Sequence, residues 1–96
     1  SLRCQDYVRN AHPNYIGHLG IGADPALAKQ VRESDLLIVL GARLGEMTTA
    51  GYTLIKPPYG ENKLVHIYPD PEELGRVYQS DLPINAGSAE TAKALA

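Results

Sequence analysis

The segment DLLIVLGARLGEMTTAGY, residues 35–52, decides the fold of this 96-residue chain. It contains five consecutive apolar residues, LLIVL at positions 36–40, which is typical of a strand covered on both faces of a parallel sheet. Gly41 follows this run, and small and polar residues come soon after it. We therefore predict a buried parallel strand that ends at Gly41 and continues into a surface loop.

Two further apolar segments predict additional strands. LVHI at residues 64–67 contains two β-branched residues, and LPINA at residues 82–86 is a weaker candidate. Because proline cannot donate to a sheet ladder, Pro83 indicates an edge position for the third strand. The residues expected in the sheet core are Leu37, Val39, Leu64 and Ile67.

Three segments have the features of helix starts. In DPALAKQVRE, residues 24–33, Asp24 can accept hydrogen bonds from free N–H groups, and Pro25 suits the first turn because its missing donor costs nothing there. DPEEL at residues 70–74 repeats the pattern, with acidic residues where the helix dipole favours them. SAETAKAL at residues 88–95 is the third predicted helix.

The order of these elements predicts an α/β architecture. Helix, strand, loop, strand, helix, strand and helix follow one another as in a parallel sheet with right-handed crossovers. The residues before position 24 contain no strong strand followed by a helix, so the opening unit of a doubly wound domain is missing from the pattern. Residues 1–96 are therefore predicted to be a single, partial domain.

Composition and charge exclude several classes of protein. The chain is 44% apolar and 21% charged, which is ordinary for a globular domain, and its net charge is -2. It contains no basic block that would bind nucleic acid or anionic lipid. No stretch is long enough to span a bilayer and no signal-peptide pattern is present, so we expect a cytoplasmic protein that binds neither nucleic acid nor membrane.

Residue types suited to catalysis or metal binding are not grouped in this sequence. Cys4 is the single cysteine and cannot form an internal disulfide, and the three histidines lack the close spacing of a metal site. His66 lies within a predicted strand and is expected to be a hydrogen-bonded core residue. We therefore predict no catalytic residue and no metal ligand in this chain.

The candidate ligand site is the end of the first strand, at Gly41, Ala42 and Arg43. Ligands of open parallel sheets bind outside the carboxyl ends of the strands. Gly41 lets the backbone turn sharply or approach a ligand, and Arg43 offers a planar donor fork that suits phosphate. A plainer interpretation, which the local sequence favours, is that Gly41 only turns the chain while Arg43 pairs with a nearby acid such as Glu46.

The order of three motifs resembles the central domain of thiamine diphosphate-dependent enzymes of the acetolactate synthase and benzoylformate decarboxylase type. The motifs are HPNYIGHLG at residues 12–20, ADPALAKQVRESDLLIVLGARLGEMTTAGY at residues 23–52 and KLVHIYPDPEELGRVYQSDLPINAG at residues 63–87. The resemblance covers nearly the whole chain from His12 onward. It implies a three-layer, Rossmann-like parallel sheet with flanking helices.

The resemblance also implies what surrounds this chain in a parent enzyme. In such enzymes the central domain lies between a domain that binds the pyrimidine of thiamine diphosphate and one that holds its diphosphate through a metal, here expected to be Mg2+. This sequence has neither the activating glutamate of the first domain nor the Gly-Asp-Gly metal motif of the second. The parent is expected to be a homo-oligomeric transferase or lyase, and this chain alone is expected neither to bind thiamine diphosphate nor to catalyse.

A nucleotide pocket at the strand ends is a further implication. Flavin-binding relatives show Gly-Met-His-Gly, Gly-x-Arg-Phe-Asp-Asp-Arg and His-x-Glu or His-x-Asp, where this chain has GHLG at residues 17–20, GARLGEM at residues 41–47 and HIY at residues 66–68. Met47 replaces the second arginine, and Tyr68 replaces the acid that would accept hydrogen bonds from the ribose. We therefore expect weak or no FAD binding and favour ADP. The candidate pocket residues are Gly41, Ala42, Arg43 and Tyr68.

Three hypotheses of function follow. The first is the central scaffold of a thiamine diphosphate-dependent 2-oxo acid carboligase or decarboxylase, which spaces the two cofactor-binding domains. The second is a free-standing module that binds ADP or FAD through Gly41 and Arg43, and the third is a subunit-interaction domain. A stand-alone module should contain its own first strand and phosphate turn, which this sequence lacks, so the first hypothesis is favoured.

Overall fold

The computed structural model describes residues 4–96, in which two helices accompany a sheet of three parallel strands. In chain order the elements are α1 (Pro25–Glu33), β1 (Leu36–Leu40), β2 (Lys63–Tyr68), β3 (Leu82–Asn85) and α2 (Ser88–Leu95). Strand β2 lies between β1 and β3. The predicted parallel α/β sheet is confirmed, as are the edge position of β3 and the helix at residues 88–95.

Helix α1 begins as the sequence predicts. The Asp24 carboxylate accepts a hydrogen bond from the Ala26 backbone N–H at 2.7 Å, and Pro25 is the first residue of the helix. This cap satisfies one of the N–H groups that a helix start leaves without a partner. Leu27 is buried and Val31 packs against the core, so α1 contacts the rest of the domain through one apolar stripe.

Asn62 fastens the end of α1 to the start of β2. Its Nδ2 donates to the Val31 carbonyl oxygen at 2.9 Å and to the Ser34 carbonyl oxygen at 2.6 Å. Val31 lies in the last turn of α1, and Lys63, which follows Asn62, is the first residue of β2. The side chain of Asn62 therefore helps to align β2 with β1, which begins shortly after α1.

The main core lies on one face of the sheet. Leu37 of β1 pairs in register with Leu64 of β2. Val39 pairs with His66, two residues further along and hence on the same face. Val39, Leu64 and Ile67 are buried as predicted, whereas Leu37 is only partly buried. The hydrophobic core cluster comprises the buried residues Val39, Leu44, Leu54, Ile55, Leu64 and Tyr78.

The opposite face of β1 is exposed, which corrects the expectation of a strand covered on both sides. The exposed fractions are 52% for Leu36, 56% for Ile38 and 37% for Leu40. Helix α2 has no buried residue, and the exposed fractions show that no element within residues 4–96 covers these side chains. A continuous apolar run is buried on both faces only when another layer packs on each side. Within residues 4–96, one side of β1 has no such layer.

The predicted helix at residues 70–74 is wrong, because the chain forms a series of turns there. Asp70 does cap the segment, since its carboxylate accepts a backbone N–H two residues on at 3.0 Å. The Arg76 N–H, however, donates to the Glu73 carbonyl oxygen, a span of three residues rather than the four of an α-helix. Gly75 has a φ of 79°, a conformation that ends a helical path.

The loop after β1 contains a short left-handed turn. The φ angles are 51° at Ala50, 66° at Gly51 and 62° at Tyr52. Thr49 is fully buried beside this turn. Its hydroxyl donates to the Gly45 carbonyl oxygen at 2.8 Å and accepts from the Tyr52 N–H at 3.1 Å. These bonds give the loop a defined path from the sheet edge back to the core.

Candidate functional site

The carboxyl ends of the three strands lie side by side. Gly41 follows β1, and its N–H donates to the Ile67 carbonyl oxygen of β2 at 2.9 Å. Tyr68 ends β2 and pairs in register with Asn85, the last residue of β3. Gly41, Tyr68 and Asn85 therefore lie along one edge of the sheet. Ligands of open parallel sheets bind at such an edge.

Two features favour glycine at position 41. Its φ of 66° lies in the left-handed region, which residues with a Cβ atom rarely adopt. A Cβ atom at this position would also collide with the hydroxyl of Ser88, the first residue of α2. The sharp turn expected of Gly41 is present, and the close neighbour of its backbone is the start of α2. An approach to a ligand stays a prediction.

The start of α2 carries its own negative charge. Gly87 precedes the helix and has no side chain to cap its free N–H groups. Glu90 lies in the first turn, and a Cβ atom added at Gly87 would collide with its carboxylate. The helix dipole favours an acid at this end. An anionic ligand at the same helix end would therefore have to displace Glu90.

Arg43 contacts an acid from another loop. Its Nε lies 3.4 Å from Oε2 of Glu73, and Nη1 of Arg76 lies 3.6 Å from the same oxygen. The Glu73 side chain is 10% exposed, whereas those of Arg43 and Arg76 are 60% and 64% exposed. The plainer interpretation of the sequence expected Arg43 to pair with a nearby acid such as Glu46. The partner is Glu73, because the turns after β2 bring this residue back beside the end of β1.

A buried histidine holds the backbone of Ala42 in place. His66 is 2% exposed, and its Nε2 donates to the Ala42 carbonyl oxygen at 2.9 Å, since a carbonyl oxygen only accepts. The expectation of a hydrogen-bonded core histidine is confirmed. A cavity of about 10 Å³ lies next to His66, between Glu73 and Tyr78. The backbone that leads into Arg43 is thus fixed by the core.

Asn85 ties the ends of β2 and β3 together, a role that the sequence analysis missed. Its Nδ2 donates to the carbonyl oxygens of Tyr68 at 3.1 Å and Pro69 at 2.8 Å. The signal for it was an asparagine at a strand end, where side-chain amides often bond to turn backbone. Tyr68 is half-buried, and its ring centroid lies 6.2 Å from that of His66. The Tyr68 side chain supplies a hydroxyl and a ring rather than a carboxylate.

Two motifs that lie apart in the sequence meet beside this edge. Gly20, the last residue of GHLG, has a φ of 127°, and a Cβ atom there would lie 3.7 Å from the Met47 carbonyl oxygen. Leu19 packs against the core cluster next to it. The glycine loop at residues 17–20 therefore contacts the loop after β1. The side chain of Met47 is 53% exposed.

A separate cleft of about 220 Å³ lies at the other ends of the strands and includes none of the predicted site residues. Lys63 and Asp81 line it, with Nζ and Oδ1 3.4 Å apart. Oδ2 of Asp81 accepts from the Leu64 backbone N–H at 2.8 Å. This hydrogen bond holds the pKa of Asp81 below its ordinary value of 3.8. Asp81 therefore ties the start of β3 to β2.

Residues 4–96 contain no group of three or more His, Cys, Asp or Glu side chains placed to hold a metal ion. Over the same residues, no helix has the length and apolar character needed to cross a membrane. Cys4 is a free cysteine.

Comparison with known proteins identifies the family. Residues 1–95 match the family model described as "Thiamine pyrophosphate enzyme, central domain". The probable acetolactate synthase large subunit of Methanocaldococcus jannaschii is 34% identical over 73 residues, which is 76% of this chain and 12% of that protein. The acetolactate synthase isozyme 1 large subunit of Escherichia coli K12 is 34% identical over 86 residues, 90% of this chain and 15% of that protein. The acetolactate synthase of Mycobacterium avium is 32% identical over 84 residues, 88% of this chain and 13% of that protein.

The matches cover most of this chain and a small part of each relative. The chain spans 12 to 15% of the length of these three acetolactate synthases. The family model, in contrast, is matched almost from end to end of the chain. The parallel α/β sheet agrees with the fold that the sequence motifs imply. The chain therefore belongs to the family of thiamine pyrophosphate enzymes, whose central domain it matches.

Proposed function

We propose that this chain is the central scaffold of a larger thiamine diphosphate-dependent enzyme that acts on 2-oxo acids, as an acetolactate synthase-like carboligase or a decarboxylase. The observation that carries the proposal is the family match over residues 1–95. Relatives named as acetolactate synthases, of which the chain spans 12 to 15%, support a larger parent. These comparisons lend no support to a free-standing nucleotide-binding module. Transferase or lyase activity belongs to the parent.

The scaffold role is supported by the exposed apolar face of β1. Leu36, Ile38 and Leu40 lie on this face and are exposed. Parallel sheets are normally covered on both faces, and contiguous apolar surface commonly marks an interface. We propose that further parts of the parent cover this side and that pyrimidine-binding and diphosphate-binding domains flank the central domain. We propose that the parent is a cytoplasmic homo-oligomer.

Thiamine diphosphate and Mg2+ are proposed for the parent rather than for this chain. Mg2+ is bound through carboxylates and other oxygen ligands, and residues 4–96 hold no cluster of metal-ligating side chains. When bound, thiamine diphosphate supplies the stabilisation of carbanions that such reactions need. The residues of this chain fix the spacing of the domains, and no chemical step is assigned to them.

At the sheet edge we propose a site for ADP rather than FAD, with the candidate contacts Gly41, Ala42, Arg43 and Tyr68. Arg43 supports the site, because a guanidinium makes charge-assisted hydrogen bonds to phosphate and this side chain is 60% exposed. Met47 and Tyr68 disfavour FAD, because neither supplies the cation or carboxylate that flavin-binding relatives have there. Each missing partner costs roughly 1–3 kcal/mol if the opposing group stays buried and unpaired.

The enzyme assignment is tested with the full-length protein that contains this chain. The purified protein is supplied with thiamine diphosphate, Mg2+ and pyruvate, and both CO2 release and acetolactate are measured. We expect turnover that depends on thiamine diphosphate, whereas the 96-residue chain alone, as a control, should give none. Absence of turnover with pyruvate and with larger 2-oxo acids would contradict the proposal.

The nucleotide site is tested by calorimetric titration of the same full-length protein with ADP and FAD. Arg43→Ala should weaken ADP binding about tenfold or more, since a hydrogen bond to a charged group contributes about 1.5–3 kcal/mol. Arg32→Ala, at an exposed arginine of α1, is the matched control and should leave the affinity unchanged. Tight FAD binding would contradict the interpretation of Met47 and Tyr68. ADP binding that is insensitive to Arg43→Ala would remove Arg43 from the site.

A further inference from the structure

Glu73 is a largely buried acid shared by two exposed arginines. Its Oε2 lies 3.4 Å from Nε of Arg43 and 3.6 Å from Nη1 of Arg76, and its side chain is 10% exposed. More than half of each arginine side chain is exposed. One carboxylate oxygen thus has two counter-charges, and one of them belongs to the residue proposed to meet a ligand phosphate.

Because two arginines share the Glu73 carboxylate, the release of Arg43 costs little free energy. A covered carboxylate that loses its counter-charge is destabilised, because it is poorly solvated and has no partner. Arg76 contacts the same oxygen, so Glu73 keeps a cation when Arg43 moves away. The contact of Arg43 to Glu73 uses Nε, and a guanidinium has four further N–H donors on its terminal nitrogens. These donors match the geometry of phosphate oxygens.

We propose that Glu73 and Arg76 act together as a counter-ion exchange device for Arg43. Without ligand, Glu73 holds Arg43 at the sheet edge. When the diphosphate of a nucleotide binds, Arg43 transfers to a phosphate and Arg76 alone neutralises Glu73. The device rests on the proposed nucleotide site. It assigns positioning roles to two residues that do not themselves touch the ligand.

The device predicts opposite effects for its two supporting residues. Glu73→Gln removes the competitor for Arg43 and should tighten binding about two- to fivefold, the range that exposed ion pairs give. Arg76→Gln makes the release of Arg43 costlier and should weaken binding by about the same factor. In a Glu73→Gln background, Arg76→Gln should change the affinity by less than about twofold, because no carboxylate is left to neutralise.

The experiment is a double-mutant cycle on the full-length protein. Inorganic pyrophosphate and ADP are titrated by calorimetry at fixed ionic strength. Glu72→Gln, at the exposed neighbouring acid, and Arg32→Gln, at an exposed arginine of α1, control for the change in net charge. If Glu73→Gln does not fold, Glu73→Asp takes its place, because it withdraws the carboxylate by one methylene and should tighten binding in the same direction.

Three results would overturn the proposal. Unchanged or weaker binding by Glu73→Gln would show that Glu73 does not compete with the ligand. An equal effect of Arg76→Gln in both backgrounds would show that Arg76 acts on the ligand directly. Absence of pyrophosphate and ADP binding in the wild-type protein would also overturn it. In that last case, pyruvate turnover by the same protein would leave the enzyme assignment intact.

Discussion

Replacing Ala50 with glycine is expected to stabilise the domain, because Ala50 is held at a φ of 51°. A residue with a Cβ atom loses roughly 1–2 kcal/mol in this left-handed conformation. Glycine removes that cost but makes the unfolded chain more flexible, which costs roughly 0.4–1 kcal/mol. The midpoints of the two ranges predict a net gain of about 0.8 kcal/mol for Ala50→Gly.

Ala92→Gly is the matched control, since the same substitution is made where the backbone is helical. Ala92 is exposed and lies inside α2, where glycine should cost roughly 0.5–1 kcal/mol. Both variants are measured by urea denaturation followed by circular dichroism. Opposite signs for the two changes in unfolding free energy are expected. Equal destabilisation by Ala50→Gly and Ala92→Gly would refute the left-handed turn that leads the chain from the sheet edge to the core.

Two other predictions concern the sheet. Leu64→Ala and Leu36→Ala shorten a leucine that is 6% exposed and one that is 52% exposed. Leu64→Ala should lower the free energy of unfolding by about 2–5 kcal/mol and Leu36→Ala by clearly less, as measured from denaturation curves. Equal losses of stability would contradict the assignment of the core to the face of the sheet that carries Leu64. Because the folded-state pKa of Asp81 is lowered, its carboxylate stabilises the fold above the unfolded pKa, and this contribution is lost as the pH falls through the folded pKa. The stability difference between wild type and Asp81→Asn should therefore be constant near neutral pH and shrink below pH 3.8, and a difference independent of pH would contradict the role of Asp81.

Elements whose signals are local were predictable from the sequence. The run LLIVL corresponds residue for residue to β1, because five apolar residues that include β-branched Ile38 and Val39 are too few for a typical helix and favour a strand. Asp24 and Pro25 place the start of α1 through their own hydrogen-bonding chemistry. Pro83 places β3 at an edge for the same kind of reason, since its backbone lacks a donor.

The incorrect predictions depend on contacts between distant segments or on competing local signals. Residues 70–74 have the same Asp-Pro start as α1, but they form turns, and Gly75 adopts a positive φ that prevents a helix from continuing. The burial expected for both faces of β1 assumed a second covering layer, which residues 4–96 do not place over Ile38. The partner of Arg43 was expected close by in the sequence, whereas Glu73 comes from the loop after the next strand.

The ion pair of Arg43 is compatible with a role in ligand binding. From the sequence alone, pairing with an acid and binding to a phosphate are alternatives for this side chain. The Arg43 side chain is 60% exposed, so water screens its pairing with Glu73 and the ion pair contributes modestly. A hydrogen bond to a charged group contributes about 1.5–3 kcal/mol, so a well-placed phosphate can displace Glu73. The contact with Arg76 lowers the cost of that displacement, because Glu73 keeps a counter-charge. The pairing therefore describes Arg43 without ligand, and the titrations of Arg43→Ala and Glu73→Gln distinguish a residue that exchanges partners from one that only closes a turn.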